Sequence, residues 1–141
     1  MEDLNRARQI LDTGNYTCVL CRKEQTYTAT QRGVRPLLDW LDSDTDLTGF
    51  FAADRVVGRG AAFLYCLLGV KAVYARIMSR PAAEVLEAQG IAVEAETFVD
   101  GIINRQGNGI CPFEEAVMAI TDPGEALVAI RAKMAQMHKG A

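Results

Sequence analysis

The segment from residue 50 to the run IAVEAETFV constrains the fold of this chain more than any other feature. It alternates between β-rich apolar runs and helical patterns in the order β-α-β-α-β. Such an alternation implies a parallel sheet whose strands are joined by right-handed helical crossovers. In open α/β sheets, ligands collect at the carboxyl ends of the strands. The sequence therefore predicts an α/β domain with its functional site at that edge.

The stretch FFAADRVVGRGAAFLYCLLG, residues 50–69, contains the strand-to-helix junction of the predicted site. We place the end of the strand at Asp54 and Arg55 and predict a helix over the small residues that follow. A helix N-terminus favours anions, because its unpaired N–H groups and its dipole point outward. Gly58 and Gly60 resemble the start of a dinucleotide fingerprint, but the third glycine is missing. We interpret them as close-packing residues about one turn inside the helix.

The remaining patterns complete a single domain spanning residues 1–141. Apolar residues at spacings of three and four predict an N-terminal helix within 1–14. Runs rich in Thr, Tyr and Val at 16–22 and 25–30 predict a β-hairpin, so the whole sheet is expected to be mixed. A second helix follows the hairpin, Ser79 caps a later helix, and a C-terminal helix and tail occupy 123–141.

Charge and hydropathy limit the classes of partner. The 15 Lys and Arg residues against 18 Asp and Glu residues give a net charge of -3, which argues against broad binding to nucleic acid. No run approaches the roughly 18 apolar residues that a membrane helix requires, and the N-terminal residues do not resemble a signal peptide. We therefore expect a cytoplasmic protein that binds small molecules, without a nucleic-acid or membrane partner.

The histidine and cysteine content argues against zinc and against a histidine-activated nucleophile. The single histidine, His138, lies in the C-terminal tail, whereas a zinc site needs three or four converging ligands. Cys18 and Cys21 have a zinc-like spacing, but on a strand they would face opposite sides of the sheet. A serine or cysteine nucleophile would need His138 to reach it from the C-terminus. The sequence therefore predicts no metal and no cofactor.

Helix starts and a glycine-rich loop provide the candidate site residues. Arginine near a helix N-terminus is unfavourable by itself, so we expect an anionic group of the protein or of a ligand to offset it. Cys111 is the only cysteine in a loop at a helix start, where a thiol can gain reactivity. The catalytic candidates are Cys111, Asp54 and Glu114. The predicted ligand-binding residues are Arg35, Asp54, Arg55, Arg59, Ser79, Asn104, Arg105, Cys111 and Glu114.

Four ordered segments resemble a prokaryotic family, domain of unknown function 1893. They are RGVRPLLDWL (32–41), ADRVVGRGAA (53–62), VKAVYARIMSRPAAEVLEAQGI (70–91) and IINRQGNGICPFEEAV (102–117). The resemblance covers nearly the whole chain from about residue 16. It implies a cytidine-deaminase-like fold, a three-layer α-β-α sandwich in which an N-terminal β-hairpin joins a parallel βαβαβ unit.

The same resemblance implies a deaminase scaffold without its zinc chemistry. Deaminases begin two helices with a His-Ala-Glu type motif and a Pro-Cys-x-x-Cys motif. On that scheme the first motif falls near 33–35 and the second near 53–57, and neither segment contains the zinc ligands or the general acid/base Glu. The family pattern commonly has Lys where Arg55 and Arg59 stand, which keeps the charge but weakens any role that requires an amine nucleophile.

Three functions stay open at the level of sequence. The first is binding of a nucleotide-like or other anionic small molecule in the former deaminase pocket, without catalysis. The second is an enzyme of unidentified type that uses Cys111 as nucleophile, or Asp54 and Glu114 as acid and base. The third is an interaction protein that forms a homo-oligomer through its helix faces and keeps only a vestigial pocket.

Overall fold

A computed structural model describes residues 2–104 and 106–139 and folds them into helices on both faces of a five-stranded mixed sheet. The elements in chain order are α1 (Glu2–Thr13), β1 (Cys18–Arg22), β2 (Gln25–Ala29), α2 (Arg35–Asp42), β3 (Phe51–Val57), α3 (Arg59–Leu68), β4 (Ala72–Ser79), α4 (Arg80–Ala88), β5 (Ala92–Val99), α5 (Pro112–Ala116) and α6 (Pro123–Lys139). Within the part of the chain that the structure describes, no helix has the length and apolarity needed to cross a membrane.

The strand order confirms the predicted fold class. The strands lie in the order β2-β1-β3-β4-β5, with β1 antiparallel to β2 and to β3. The pairs β3/β4 and β4/β5 are parallel. The β-hairpin and the βαβαβ unit therefore form one mixed sheet, and the carboxyl ends of β3, β4 and β5 meet at a single edge.

The sheet separates two clusters of buried residues. The smaller cluster lies under α1 and includes Ala53, Tyr74 and Cys21. The larger cluster lies on the side of α2, α3 and α4 and includes Ala52 and Cys18. Since Cys18 and Cys21 belong to different clusters, the prediction that these two thiols diverge is confirmed.

The predicted position of the strand-to-helix junction is wrong by about one helical turn. β3 continues to Val57, and Gly58 is the N-cap residue of α3. Asp54 and Arg55 therefore lie within the strand, because the β-branched residues after them extend it and tertiary partners satisfy their polar groups. The glycines do serve close packing, since a Cβ on Gly60 would lie 3.2 Å from the carbonyl oxygen of Phe113.

Candidate functional site

The carboxylate of Glu114 lies where three segments meet at the carboxyl edge of the parallel strands. Its Oε1 accepts hydrogen bonds from the Arg59 backbone N–H at 2.8 Å and the Ser79 hydroxyl at 2.7 Å. Its Oε2 accepts one from the Ile102 backbone N–H at 2.5 Å. Glu114 is only 6% exposed. The anion expected at the N-terminus of α3 is therefore a side chain of the protein itself.

Local sequence positions the partners of Glu114. Ser79 ends β4 and caps α4, accepting a hydrogen bond from the Ala82 N–H at 3.1 Å, as predicted. Pro112 opens the short helix α5 and thereby places Glu114 in its first turn. Gly58 leaves room for the carboxylate, since a Cβ there would lie 3.1 Å from Glu114 Oε1.

The side chain of Arg59 also binds within the chain. Its Nε donates to the Val117 carbonyl oxygen at 3.1 Å, and one terminal nitrogen donates to the Ile120 carbonyl oxygen at 2.5 Å. The guanidinium carbon lies 5.1 Å from the centre of the Phe63 ring. Arg59 and Glu114 together fasten the segment that contains α5 to the start of α3.

Asp54 belongs to a separate polar network on the α3 side of the sheet. The Tyr65 hydroxyl donates to Asp54 Oδ2 at 2.6 Å, and Cys18 Sγ lies 3.0 Å from the same hydroxyl oxygen. Because the hydroxyl proton points to Asp54, the Cys18 thiol is the donor to Tyr65.

Burial determines the titration of these three groups. It raises the pKa of Asp54 from 3.8 to about 6, against the opposing effect of the hydrogen bond from Tyr65. It also raises the pKa of Tyr65 and of Cys18 well above their ordinary values, and the nearby Asp54 charge adds to both shifts. Tyr65 and Cys18 therefore keep their protons near neutral pH, whereas Asp54 exchanges its proton at a pH close to neutral.

Arg55 lies on the opposite side of the sheet from Asp54. Successive strand residues alternate in direction, so Arg55 shares the α1 side with Ala53. Its backbone N–H donates to the Thr17 carbonyl oxygen at 3.3 Å. Its side-chain Nε is buried and has no hydrogen-bond partner among residues 2–104 and 106–139.

A second arginine lies beside Arg55 on β4. The register pairs Asp54 with Ala75 and Val56 with Ile77, so Arg55 and Arg76 occupy the same level on neighbouring strands. Arg76 binds the end of α1, because one of its terminal nitrogens lies 3.1 Å from Asp12 Oδ1 and donates to the Leu11 carbonyl oxygen at 3.3 Å. This side of the carboxyl edge therefore carries two adjacent cations.

The other predicted residues lie outside these two groups. Arg35 is the first residue of α2. Asn104 lies in the loop before α5, where its side-chain amide donates to Asn108 Oδ1 at 3.0 Å. Cys111 is half-buried at the N-cap of α5, and its backbone N–H donates to the Ile102 carbonyl oxygen at 2.8 Å. Arg105 lies outside the described residues.

The structure brings Arg59, Ser79 and Glu114 together and places Asp54 and Arg55 elsewhere. The sequence reasoning missed Tyr65, Arg76 and the backbone of Ile102. Tyr65 offered a signal, because a tyrosine within an otherwise apolar helix needs a partner for its hydroxyl. The backbone N–H of Ile102 offered no such signal in the sequence, because every residue other than proline has one.

The two helix starts that the resemblance assigns to zinc motifs hold no zinc ligand set. α2 begins at Arg35, within the predicted region. α3 begins at Arg59, so the second position shifts from 53–57 to 58–62, where the sequence GRGAA has neither Cys nor His. In the described ranges, no cluster of three or more His, Cys, Asp or Glu side chains could hold a metal ion.

Several known proteins are similar to this chain. A family model described as TM1506, domain of unknown function (DUF1893), matches residues 6–134. The crystal structure of a DUF1893 family protein (TM1506) from Thermotoga maritima is similar, with a TM-score of 0.85 and 20% identity over 94% of this chain and 90% of that chain. The dCMP deaminase from the cyanophage S-TIM5 in apo form has a TM-score of 0.44 and 15% identity, over 67% and 94%. No curated protein matches significantly.

Proposed function

We propose a function for this chain from its own residues, because it belongs to the DUF1893 family, whose description states no activity. The protein binds an anionic small molecule at the carboxyl ends of β3 and β4, with Arg55 as the main contact. The ligand class remains the one expected from the sequence, with nucleotide-like compounds among the candidates. The observation that carries the proposal is the buried Nε of Arg55, which lacks a partner in the described part of the chain.

A buried guanidinium N–H without a partner is energetically costly. Leaving a charged donor unsatisfied costs more than the roughly 1–3 kcal/mol of a neutral one. The adjacent Arg76 is already paired with Asp12 at 3.1 Å, so Arg55 is the guanidinium of this pair that has an unsatisfied N–H. An oxyanion would satisfy the Arg55 N–H and offset its charge, since the planar fork of arginine suits phosphate and carboxylate groups.

The proposed site differs from the former deaminase pocket that the sequence suggested. The donors at the starts of α3 and α4 already bind Glu114, and the guanidinium of Arg59 binds two carbonyl oxygens. A ligand there would have to displace these contacts. Arg55 requires no such displacement, so the proposal moves the anion to the α1 side of the same edge.

A ligand screen with matched variants tests this proposal. Binding of phosphate, pyrophosphate, nucleoside monophosphates and small carboxylates is measured by thermal shift and by calorimetry. A ligand at 100 times its Kd should stabilise the protein by about 2.7 kcal/mol. We expect Arg55→Gln to weaken binding at least tenfold and Arg55→Lys to weaken it less. The control Arg131→Gln, which removes an exposed ion pair with Asp42, should bind as the wild type does.

Two results would count against the proposal. One is a screen in which no anion stabilises the protein. The other is an anion that binds the Arg55→Gln variant as tightly as it binds the wild type, which would place the contact elsewhere. If Arg59→Gln alone removed such binding, the former deaminase pocket would be the site instead.

A second candidate function is acid–base chemistry at Asp54. A carboxyl group whose pKa is about 6 can exchange protons near neutral pH, and Tyr65 holds it in a fixed position. Mass spectrometry of the same compound panel after incubation tests this candidate. Turnover of any compound by the wild type and by Arg131→Gln, but not by Asp54→Asn, would support it, whereas turnover retained in Asp54→Asn would contradict it.

A further inference from the structure

β5 is an edge strand of the sheet, and its charged residues are the acids Glu94 and Glu96. It pairs with β4 on one side, and no strand of the described residues pairs with its other side. Its eight residues, AVEAETFV, include neither lysine nor proline. Natural proteins commonly use those residues to block pairing at an edge. The outer main-chain groups of β5 are therefore available to a further strand.

An open cleft with both polar and apolar lining residues lies next to this edge. It has a volume of about 480 Å³ and is lined by Glu87, Ala92, Val93, Phe98 and the turn at 90–91. Phe98 is 41% exposed. A strand added along β5 would place alternate side chains toward the cleft, so an apolar residue of that strand has a place to bind.

The surroundings of the edge are acidic. The exposed acids on α4, on β5 and after β5 are Glu84, Glu87, Glu94, Glu96 and Asp100. Arg8 pairs with Glu94 at 3.1 Å, and Arg80 pairs with Asp100 at 3.2 Å. Lys71 lies beside the start of β5, where its carbonyl oxygen accepts from the Ala92 N–H, and Arg76 on β4 is paired with Asp12. Five acids thus face three bases that are not paired elsewhere, and an approaching strand meets a net negative charge. This charge favours a partner segment that carries Lys or Arg.

The same charges disfavour a second copy of this chain as the partner. A two-fold antiparallel pairing of two β5 strands centred on Ala95 would place Glu94 of one copy opposite Glu96 of the other. Like charges directly opposite each other destabilise a strand pair. The negative potential therefore selects against self-pairing and for a basic segment.

We propose that the outer edge of β5 binds an extended basic peptide segment of another protein by strand addition, with an apolar side chain of that segment in the cleft beside Phe98. The main chain of β5 supplies hydrogen bonds, and the acids of α4 and β5 select Lys or Arg. This surface is independent of the proposed anion site, which lies on the cationic end of β3 and β4.

Fluorescence anisotropy with a labelled peptide of alternating Lys and Val, as long as β5, tests the proposal. We expect saturable binding to the wild type, and at least tenfold weaker binding to Phe98→Lys and to Glu87→Lys. The control Val128→Lys changes an apolar residue of α6 that is 70% exposed, and it should bind as the wild type does. Circular dichroism confirms that each variant is folded.

Two altered peptides separate strand addition from simple charge attraction. A peptide with N-methylated backbone amides keeps its charge but cannot donate main-chain hydrogen bonds, so it should bind at least tenfold more weakly. A peptide with Glu in place of Lys should not bind. Equal binding of the N-methylated peptide, no binding of the Lys-Val peptide, or unchanged binding by Phe98→Lys would overturn the proposal. Sedimentation showing a dimer that Phe98→Lys dissociates would assign the edge to a second copy instead.

Discussion

Asp54 couples the stability of the protein to pH. Its folded-state pKa of about 6 lies above the ordinary value of 3.8, so the folded state binds more protons between these two pH values. Stability from this group is greatest at low pH and falls as the pH rises toward 6. Above pH 6, the ionised Asp54 lowers the free energy of unfolding by about 3 kcal/mol, since one pKa unit corresponds to about 1.4 kcal/mol.

The variant Asp54→Asn tests this coupling. The amide oxygen can still accept the Tyr65 hydroxyl, but the titration is gone. The unfolding free energies of the variant and the wild type are measured with urea from pH 4 to pH 7. We expect the value of the variant, relative to that of the wild type, to rise by up to about 3 kcal/mol as the pH rises. Parallel curves over this range would show that Asp54 keeps an ordinary pKa.

Glu114 has a structural role that its neighbour Glu115 lacks. Replacement by Gln retains the shape but removes the charge on which three donors converge. Hydrogen bonds to charged groups contribute about 1.5–3 kcal/mol each, so we expect Glu114→Gln to lose on the order of 3 kcal/mol in chemical denaturation. The exposed Glu115→Gln should lose less than about 0.5 kcal/mol. Equal losses would show that the convergence on Glu114 is not maintained in solution.

Cys111 is the residue on which the nucleophile hypothesis depends. In the described part of the chain no side chain hydrogen bonds to its thiol, although it is the N-cap residue of α5. We expect a thiol reagent at pH 7 to modify it no faster than free cysteine, with Cys111→Ser identifying its signal. A rate tenfold above that of free cysteine would contradict this expectation and support the nucleophile hypothesis.

At the scale of elements, the junction between β3 and α3 depends on a glycine. Gly58 has an ordinary extended backbone, but a Cβ there would lie 3.1 Å from both Glu114 Oε1 and Ile102 Cγ1. We expect Gly58→Ala to cost about 1–3 kcal/mol of unfolding free energy by overpacking. Gly101→Ala is the matched control, because its nearest contact would be an ordinary 3.9 Å. Similar costs for both would mean that the junction does not pack as described.

Local signals predicted most elements, whereas tertiary contacts decided the site. The alternation of strands and helices and the Ser79 cap are encoded in neighbouring residues, so they were predictable. The end of β3 was not predictable, because the Asp54 carboxylate within the strand binds Tyr65, which lies eleven positions away in the sequence. Once Asp54 and Arg55 lie in a strand, alternation separates them. The convergence on Glu114 joins the start of α3, the end of β4 and the loop before α5, and no local pattern specifies how these three segments approach each other.

At the scale of the whole molecule, two kinds of charged surface occupy different strands of the sheet. The carboxyl edge of β3 and β4 carries adjacent arginines on the α1 side, while the free edge of β5 is acidic and partly apolar. The fold persists in the Thermotoga maritima relative at 20% identity. An anionic ligand at one edge and a basic segment at the other are compatible, because their surfaces do not overlap.

The central claim is that an anion binds the guanidinium of Arg55. A crystal structure of protein purified from its own host, without added phosphate or sulfate, tests it most directly. We predict density for an oxyanion about 3 Å from Arg55 Nε, present in the wild type and absent in Arg55→Gln. A well-ordered Arg55 whose Nε donates to another group of the chain, with no such density, would contradict the claim.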